Sequence, residues 1–256
     1  MATYCMSDIH GDYESYRRML ELICFSDEDV LYIIGDVIDR HPGGVEILLD
    51  IMERSNVHLI KGNHEDLCYR ALAENNREYW SMWVQNGGRC TRAAMLYKET
   101  NIHKDKILSF IRSLPTFLEV VVGGRQFHLV HAAPAEYPFD RMWFRVDEEE
   151  PQLIPGATVI VGHTPTPYLS GNPFGPGEIL HEEGIIYIDC GCGSSYDNRR
   201  LGCLRLDDLQ EFYIKCVPED EDPDLDKKIK CAGSEFIEKH IGALKNLAKG
   251  SDDCDE

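Results

Sequence analysis

Five apolar runs in this 256-residue chain each end, within a few residues, on a side chain that can hold a metal. Thr3-Tyr4-Cys5-Met6 leads into Asp8-Ile9-His10-Gly11, and Val30 to Ile34 leads into Gly35-Asp36-Val37-Ile38-Asp39-Arg40. Val57 to Ile60 leads into Gly62-Asn63-His64-Glu65, Gln126 to Val130 into His131, and Thr158 to Val161 into Gly162-His163-Thr164. One Gly-Asp or Gly-Asn after a strand is ordinarily a turn. Five in sequence order describe a sheet whose strand tips converge on one place. They carry Asp8, His10, Asp36, Asn63, His131 and His163, the donor set of a two-metal site.

The rest of the chain supports such a sheet. Strands are expected at 2–6, 30–34 and 57–60, alternating with helices at 13–24 (Tyr16, Met19, Leu20 and Ile23 on one face) and 43–54. That alternation argues for a parallel α/β sheet. Residues 64–114 carry no strand signal and read as a helical insertion over the site, with Trp80, Trp83, Leu96, Ile107, Leu108 and Ile111 as apolar anchors. Within it, Asn86-Gly87-Gly88 reads either as a helix cap and turn or as backbone amides close to a substrate. After Pro115 the pattern turns to strands: a hairpin over 116–122 and 126–130, then 158–161, 185–189, 201–206 and 211–217. Ser170 to Gly177, rich in Gly and Pro, is a candidate substrate rim. These boundaries give one α/β domain over 1–217, followed by an acidic linker and a weakly amphipathic helix or tail over 218–256.

The donor set constrains the chemistry. Asp8 and His10, two apart, can face the same side of an extended segment. A carboxylate such as Asp36 has two oxygens and can bridge two ions. Mixed imidazole, amide and carboxylate ligation suits Mn²⁺, Fe²⁺, Zn²⁺ or Co²⁺ and does not favour an all-oxygen Ca²⁺ cage. Two such cations lower the pKa of a bridging water and present hydroxide to an electrophile, and a phosphate ester is the natural target. The displacement also needs a clamp for the phosphate oxygens and an acid for the leaving group. Arg40 can supply the first. His64, next to Asn63, should face the same pocket, with Asp39 holding one ring nitrogen. No serine elbow, dinucleotide loop or Walker loop is visible.

These ordered motifs, together with His131-Ala132-Ala133 and Gly162-His163-Thr164-Pro165, resemble those of the calcineurin-like metallophosphoesterases. They look most like the phosphoprotein phosphatase branch in its short bacterial and phage form. The resemblance runs from about residue 2 to 217. It implies a four-layer α/β/β/α sandwich, with Asp8, His10 and Asp36 on a first metal and Asp36, Asn63, His131 and His163 on a second. The ions it implies are Mn²⁺ first, with Fe, Zn, Co or Ni as alternatives. It also implies His64 as general acid with Asp39, and Arg40 on phosphate. Met142-Trp143-Phe144-Arg145 resembles the family's Trp-x-Arg segment, which makes Arg145 a second phosphate ligand with Arg141 as its rival. Trp83, Asn86-Gly87-Gly88 and Thr91 look like both the short bacterial members and the symmetrical diadenosine tetraphosphatases. Two departures, Ala-Ala after His131 and no eukaryotic substrate-groove segment, put protein as the substrate in doubt.

The expected activity is therefore a metal-dependent phosphomonoesterase, serine/threonine phosphatase-like, acting on phosphoprotein or small phosphate esters through a metal-bridging hydroxide. A symmetrical diadenosine tetraphosphate hydrolase is the alternative. A non-catalytic scaffold is disfavoured by the complete donor set. A formal net charge of −19 argues against a nucleic-acid or anionic-membrane partner and makes a nuclease weak. No run approaches about 18 apolar residues and the N-terminus lacks a signal-peptide pattern, so the expected compartment is the cytoplasm. The 10 cysteines are scattered, several in apolar runs, unlike a disulfide scaffold. Cys190-Gly191-Cys192, the tightest pair, reads as buried or turn-lining thiols ahead of a metal or redox site.

Overall fold

In the computed structural model, residues 1–96, 103–146, 153–195 and 198–216 are described. The expected acidic linker and helix at 218–256 lie outside them. The elements are β1 (Thr3–Met6), α1 (Tyr13–Leu22), β2 (Val30–Ile34), α2 (Gly44–Glu53), β3 (Val57–Ile60), α3 (Asn63–Leu72), α4 (Arg77–Gln85), α5 (Arg89–Leu96) and α6 (Lys104–Ser113). After these come β4 (Phe117–Val122), β5 (Arg125–Val130), α7 (Pro138–Trp143), β6 (Thr158–Val161), α8 (Thr166–Leu169), β7 (Leu180–Glu182), β8 (Ile185–Tyr187), β9 (Arg200–Arg205) and β10 (Gln210–Lys215).

They form two five-stranded sheets, ordered β10-β9-β1-β2-β3 and β4-β5-β6-β8-β7. β1, β2 and β3 are parallel, with Ile33 between Met6 and Leu59. β5, β6 and β8 are parallel in the second sheet, and the outer strands run antiparallel. One core joins the inner faces: Cys5, Ile34, Ile60 and Leu204 from the first sheet meet Phe127, Leu129, Ile160 and Ile186 from the second. Each such fully buried aliphatic side chain is worth about 1.5–3 kcal/mol over leaving it in water. Helices cover the outer faces, giving the four-layer α/β/β/α sandwich. α1 begins on Asp12, whose Oδ1 accepts from Ser15 N at 2.9 Å, and buries Tyr16 and Met19. On the second sheet, Val130, Val159 and Tyr187 pack with Leu169 of α8.

The stretch expected as a helical insertion is α3 to α6, anchored by buried Trp83, Ile107, Leu108 and Ile111. Leu96 is not an anchor. It is half exposed, and its neighbour Met95 fills the buried position on that turn of α5. The short α7, α8 and β7 carry no expectation in the sequence. Among the described residues, no helix is long and apolar enough to cross a membrane.

Candidate metal centre

Parallel strands end on the same edge, and open α/β sheets bind ligands beyond those carboxyl ends. Asp8 follows β1, Asp36 follows β2, Asn63 opens α3 after β3, His131 follows β5 and His163 follows β6. All six expected donors meet there. His10 Nε2 lies 3.8 Å from Asp8 Oδ1 and 3.7 Å from Asp36 Oδ2. His131 Nε2 lies 3.3 Å from that Asp36 oxygen and 3.0 Å from Asn63 Oδ1. The backbone N–H of His163 donates to Asp8 Oδ2 at 3.0 Å. Donor atoms of His10, Asp36 and His64 fall within 4.8 Å of one another, and so do those of Asp36, His131 and His163. Asp36 is common to both groups, the position a bridging carboxylate needs.

Approach this close requires small residues and unusual backbone. Gly35, at φ 77°, lies where a Cβ would come within 2.6 Å of His131 Nδ1, and a Cβ on Gly162 would collide with Ser7 and the Asp8 carboxylate. Asp8, His10, Asp36, Asp39, Arg40 and His163 all adopt positive φ, between 50° and 72°. Such conformations cost L-residues roughly 1–2 kcal/mol each and persist where the surroundings over-determine them.

The imidazoles are oriented from behind. His131 Nδ1 donates to Ile34 O at 2.8 Å and His10 Nδ1 to Ile38 O at 3.2 Å. A carbonyl on Nδ1 fixes the tautomer and leaves Nε2 as the free lone pair, here facing the carboxylates. Burial opposes charge on His131, but Asp36 and Asp8 outweigh it and raise its pKa to about 10. Burial and His131 push His163 down to about 3. Burial also works against an ionised Asp36, yet His131 and His64 hold its carboxyl well below the usual range. Burial holds the His10 and His163 imidazoles low and therefore unprotonated, and such neutral rings beside an ionised Asp36 are the donor chemistry that a pair of divalent cations fits.

His64 sits beside this cluster. Its Nδ1 donates to Asp39 Oδ2 at 2.7 Å, and its Nε2 lies 3.9 Å from Asp36 Oδ2 and 3.5 Å from Arg40 Nη2. Burial lowers the His64 pKa, but Asp36 and Asp39 prevail and raise it. Arg40 is exposed, and its Nη1 donates to Gly193 O at 3.3 Å. Arg145 is also exposed and donates to Thr164 Oγ1 at 2.7 Å, one residue past His163. Arg141 is occupied elsewhere: it donates to Ala135 O at 2.7 Å and Thr116 Oγ1 at 3.2 Å, and lies 4.3 Å over the Phe117 ring.

Four supporting residues were not read as such from the sequence. Glu65 is fully buried and accepts from the N–H groups of Asp36, Val37 and Gly62, each at 2.9 Å, so it pins two donor loops together. Trp83 Nε1 donates to Asp39 Oδ2 at 2.8 Å, the oxygen that His64 uses. Thr91 Oγ1 accepts from Asp39 N at 2.9 Å, and Gly87 O accepts from Arg40 N at 3.1 Å. The Asn86-Gly87-Gly88 break is thus the C-cap of α4, as the turn reading expects, and its outward contact is with Arg40. The fourth is Asp189, buried just past β8 on the same edge. Burial and Asp8 hold its carboxyl well above the usual range. It follows a strand as the other donors do, and that pattern could have found it.

Sandwich, shared carboxylate and dyad together are the architecture of a metallophosphoesterase. The chain matches the calcineurin-like phosphoesterase model over residues 1–191 and belongs to that family. Over 134 residues it is 32% identical to the symmetrical bis(5'-nucleosyl)-tetraphosphatase of Acidovorax sp. (strain JS42), covering 52% of this chain and 44% of that protein. The chain spans less than half the length of the curated relatives it matches. Two solved structures share the fold. One is a metallophosphoesterase from Sphaerobacter thermophilus (TM-score 0.51, 16% identity, 93% and 97% of the two chains). The other is a protein serine/threonine phosphatase from Saccharomyces cerevisiae (TM-score 0.57, 14% identity, 88% and 82%).

Proposed function

We propose that the chain is a metal-dependent phosphomonoesterase of the serine/threonine phosphatase type. Asp8, His10, Asp36, Asn63, His131 and His163 would hold two divalent cations, Mn²⁺ foremost. The observation that carries the reading is Asp36, which lies within 4 Å of His10, His64 and His131 at the meeting of both sheets. Bound there, the cations supply an ionised water and neutralise phosphate charge. Arg40, 3.5 Å from His64 Nε2, and Arg145, hydrogen-bonded one residue past His163, are both exposed and orient the phosphoryl oxygens. Arg141 has no such freedom. His64 carries a proton on Nε2 toward the leaving oxygen, and Asp39 holds its Nδ1–H.

A symmetrical dinucleoside tetraphosphate hydrolase is the second reading, favoured by the tetraphosphatase relative. It uses the same residues and differs in what the rim holds. Mn²⁺-loaded protein should hydrolyse p-nitrophenyl phosphate, and chelation should abolish this. Metal-loaded protein that is inert toward every phosphate ester would refute both readings. Rates on phosphopeptides and diadenosine tetraphosphate, side by side, decide between them.

A further inference from the structure

We propose that Cys192 and Cys216 form a redox modification site, which a small peroxide closes into a disulfide that pulls on the loop bracing Arg40. Both thiols are buried, and their sulfurs lie 3.4 Å apart. A disulfide needs about 2.05 Å, so closure takes a movement of about 1.4 Å. The backbones are already tied together. Gly191 bridges Arg200, and Cys216 N donates to Arg199 O at 3.1 Å.

An oxygen of Asp12 also lies within 4.8 Å of both sulfurs, as in a thiolate metal site. Arg199 argues against that use. Its Nη1 lies 3.1 Å from Asp12 Oδ2, 3.2 Å from His41 Nε2 and 3.2 Å from Cys192 O. A permanent, buried guanidinium charge already pairs with the Asp12 carboxylate that a cation would need. What remains is two adjacent thiols, whose common chemistry is two-electron oxidation. The Cys216 sulfur and burial hold the Cys192 thiol well above its ordinary pKa, so reaction waits on a local opening that exposes the sulfur.

On opening, the Cys192 thiolate attacks one peroxide oxygen, the O–O bond breaks, and hydroxide leaves, giving a sulfenic acid. The Cys216 sulfur then attacks that sulfur, and the S–O bond breaks. Two thiols and one hydrogen peroxide become one disulfide and two waters; the sulfurs are oxidised and the peroxide is reduced. Gly193, the next residue, accepts from Arg40 and lies against the His10 ring. Drawing Cys192 toward Cys216 displaces the backbone next to that brace. The kinetic consequence rests on the phosphate role proposed for Arg40; the cross-link itself does not.

The full chain is treated with hydrogen peroxide, alkylated and peptide-mapped. The expected result is a Cys192–Cys216 cross-link, about 2 Da lighter, reversed by dithiothreitol and absent from Cys192→Ser. A cross-link to Cys190, Cys231 or Cys254 instead, or sulfinate at Cys192 without a cross-link, overturns the proposal. So does Co²⁺ alone giving a thiolate charge-transfer absorption that Cys192→Ser lacks. In a parallel assay, KM for p-nitrophenyl phosphate should rise several-fold on oxidation of the wild type but not of Cys192→Ser. A mapped cross-link with KM unmoved would overturn the coupling to Arg40. Peroxide damage at the metal centre would lower both proteins alike.

Discussion

If His64 protonates the leaving group as proposed, replacing Trp83 with Phe should separate that step from the rest of the chemistry. One oxygen of Asp39 accepts both the His64 Nδ1–H and the Trp83 indole N–H, while its other oxygen is buried without a partner. Trp83→Phe keeps the ring and removes the second donor. A hydrogen bond to a buried charged group is worth about 1.5–3 kcal/mol. If the whole of it acts on the orientation of His64 in the transition state, the loss is roughly 10- to 140-fold at about 1.4 kcal/mol per decade. Asp39 keeps two other restraints, its bond to His64 and its N–H on Thr91, so the low end, about tenfold, is the expectation. That loss should appear in kcat for an alkyl phosphate, whose alkoxide must be protonated as it leaves. It should nearly vanish for p-nitrophenyl phosphate, whose leaving group needs no acid. Unfolding free energy should fall by about 2–3 kcal/mol from the lost bond and the smaller ring. Equal loss of kcat on both substrates would refute the reasoning, because a merely structural defect cannot tell leaving groups apart.

Glu65→Gln should place an amide N–H₂ among the N–H groups of Asp36, Val37 and Gly62, and bound metal by elemental analysis should drop to well under two ions per chain. Arg145→Ala should raise KM for p-nitrophenyl phosphate about tenfold or more with little change in Tm, whereas Arg141→Ala, which strips contacts to Ala135, Thr116 and Phe117, should lower Tm and leave KM alone. In chelated protein, His131 has its pKa raised from about 6.5 in the unfolded chain to about 10 in the fold, so its protonated form stabilises the fold fully below pH 6.5. That contribution is lost as pH rises through about 10. Tm of the chelated protein should therefore decline between those values, with a shallower decline in His131→Asn and after Mn²⁺ loading; identical slopes in all three would remove His131 as the cause.

How much of this centre a reader of the sequence could see follows from where each constraint resides. Asp8, Asp36, Asn63, His131 and His163 were legible because each stands just past an apolar run; parallel pairing carries the run ends to one edge within each sheet, and the packing of the two sheets, which no apolar run announces, brings the two edges together. Asp189 shares that logic, but it falls inside the strand expected at 185–189, whereas β8 ends at Tyr187 and leaves it just past the tip. α7 has six residues, fewer than two turns, so periodicity had nothing to act on. The backbone of the dyad was hidden for a different reason. Two consecutive non-glycine residues, Asp39 and Arg40, sit at φ 72° and 68°. Their own preferences oppose this by about 2–4 kcal/mol together. The opposing bonds come from 47 to 52 positions further along the chain, from Gly87 O and Thr91 Oγ1, each worth about 1 kcal/mol net and more in the desolvation it averts. Trp83 belongs to the same set, although apolar patterning counts an indole as core and is blind to its N–H. The helical insertion thus does more than cover the sandwich: it holds Asp39-Arg40 in a conformation that neither residue would choose, and the direction in which His64 points depends on it.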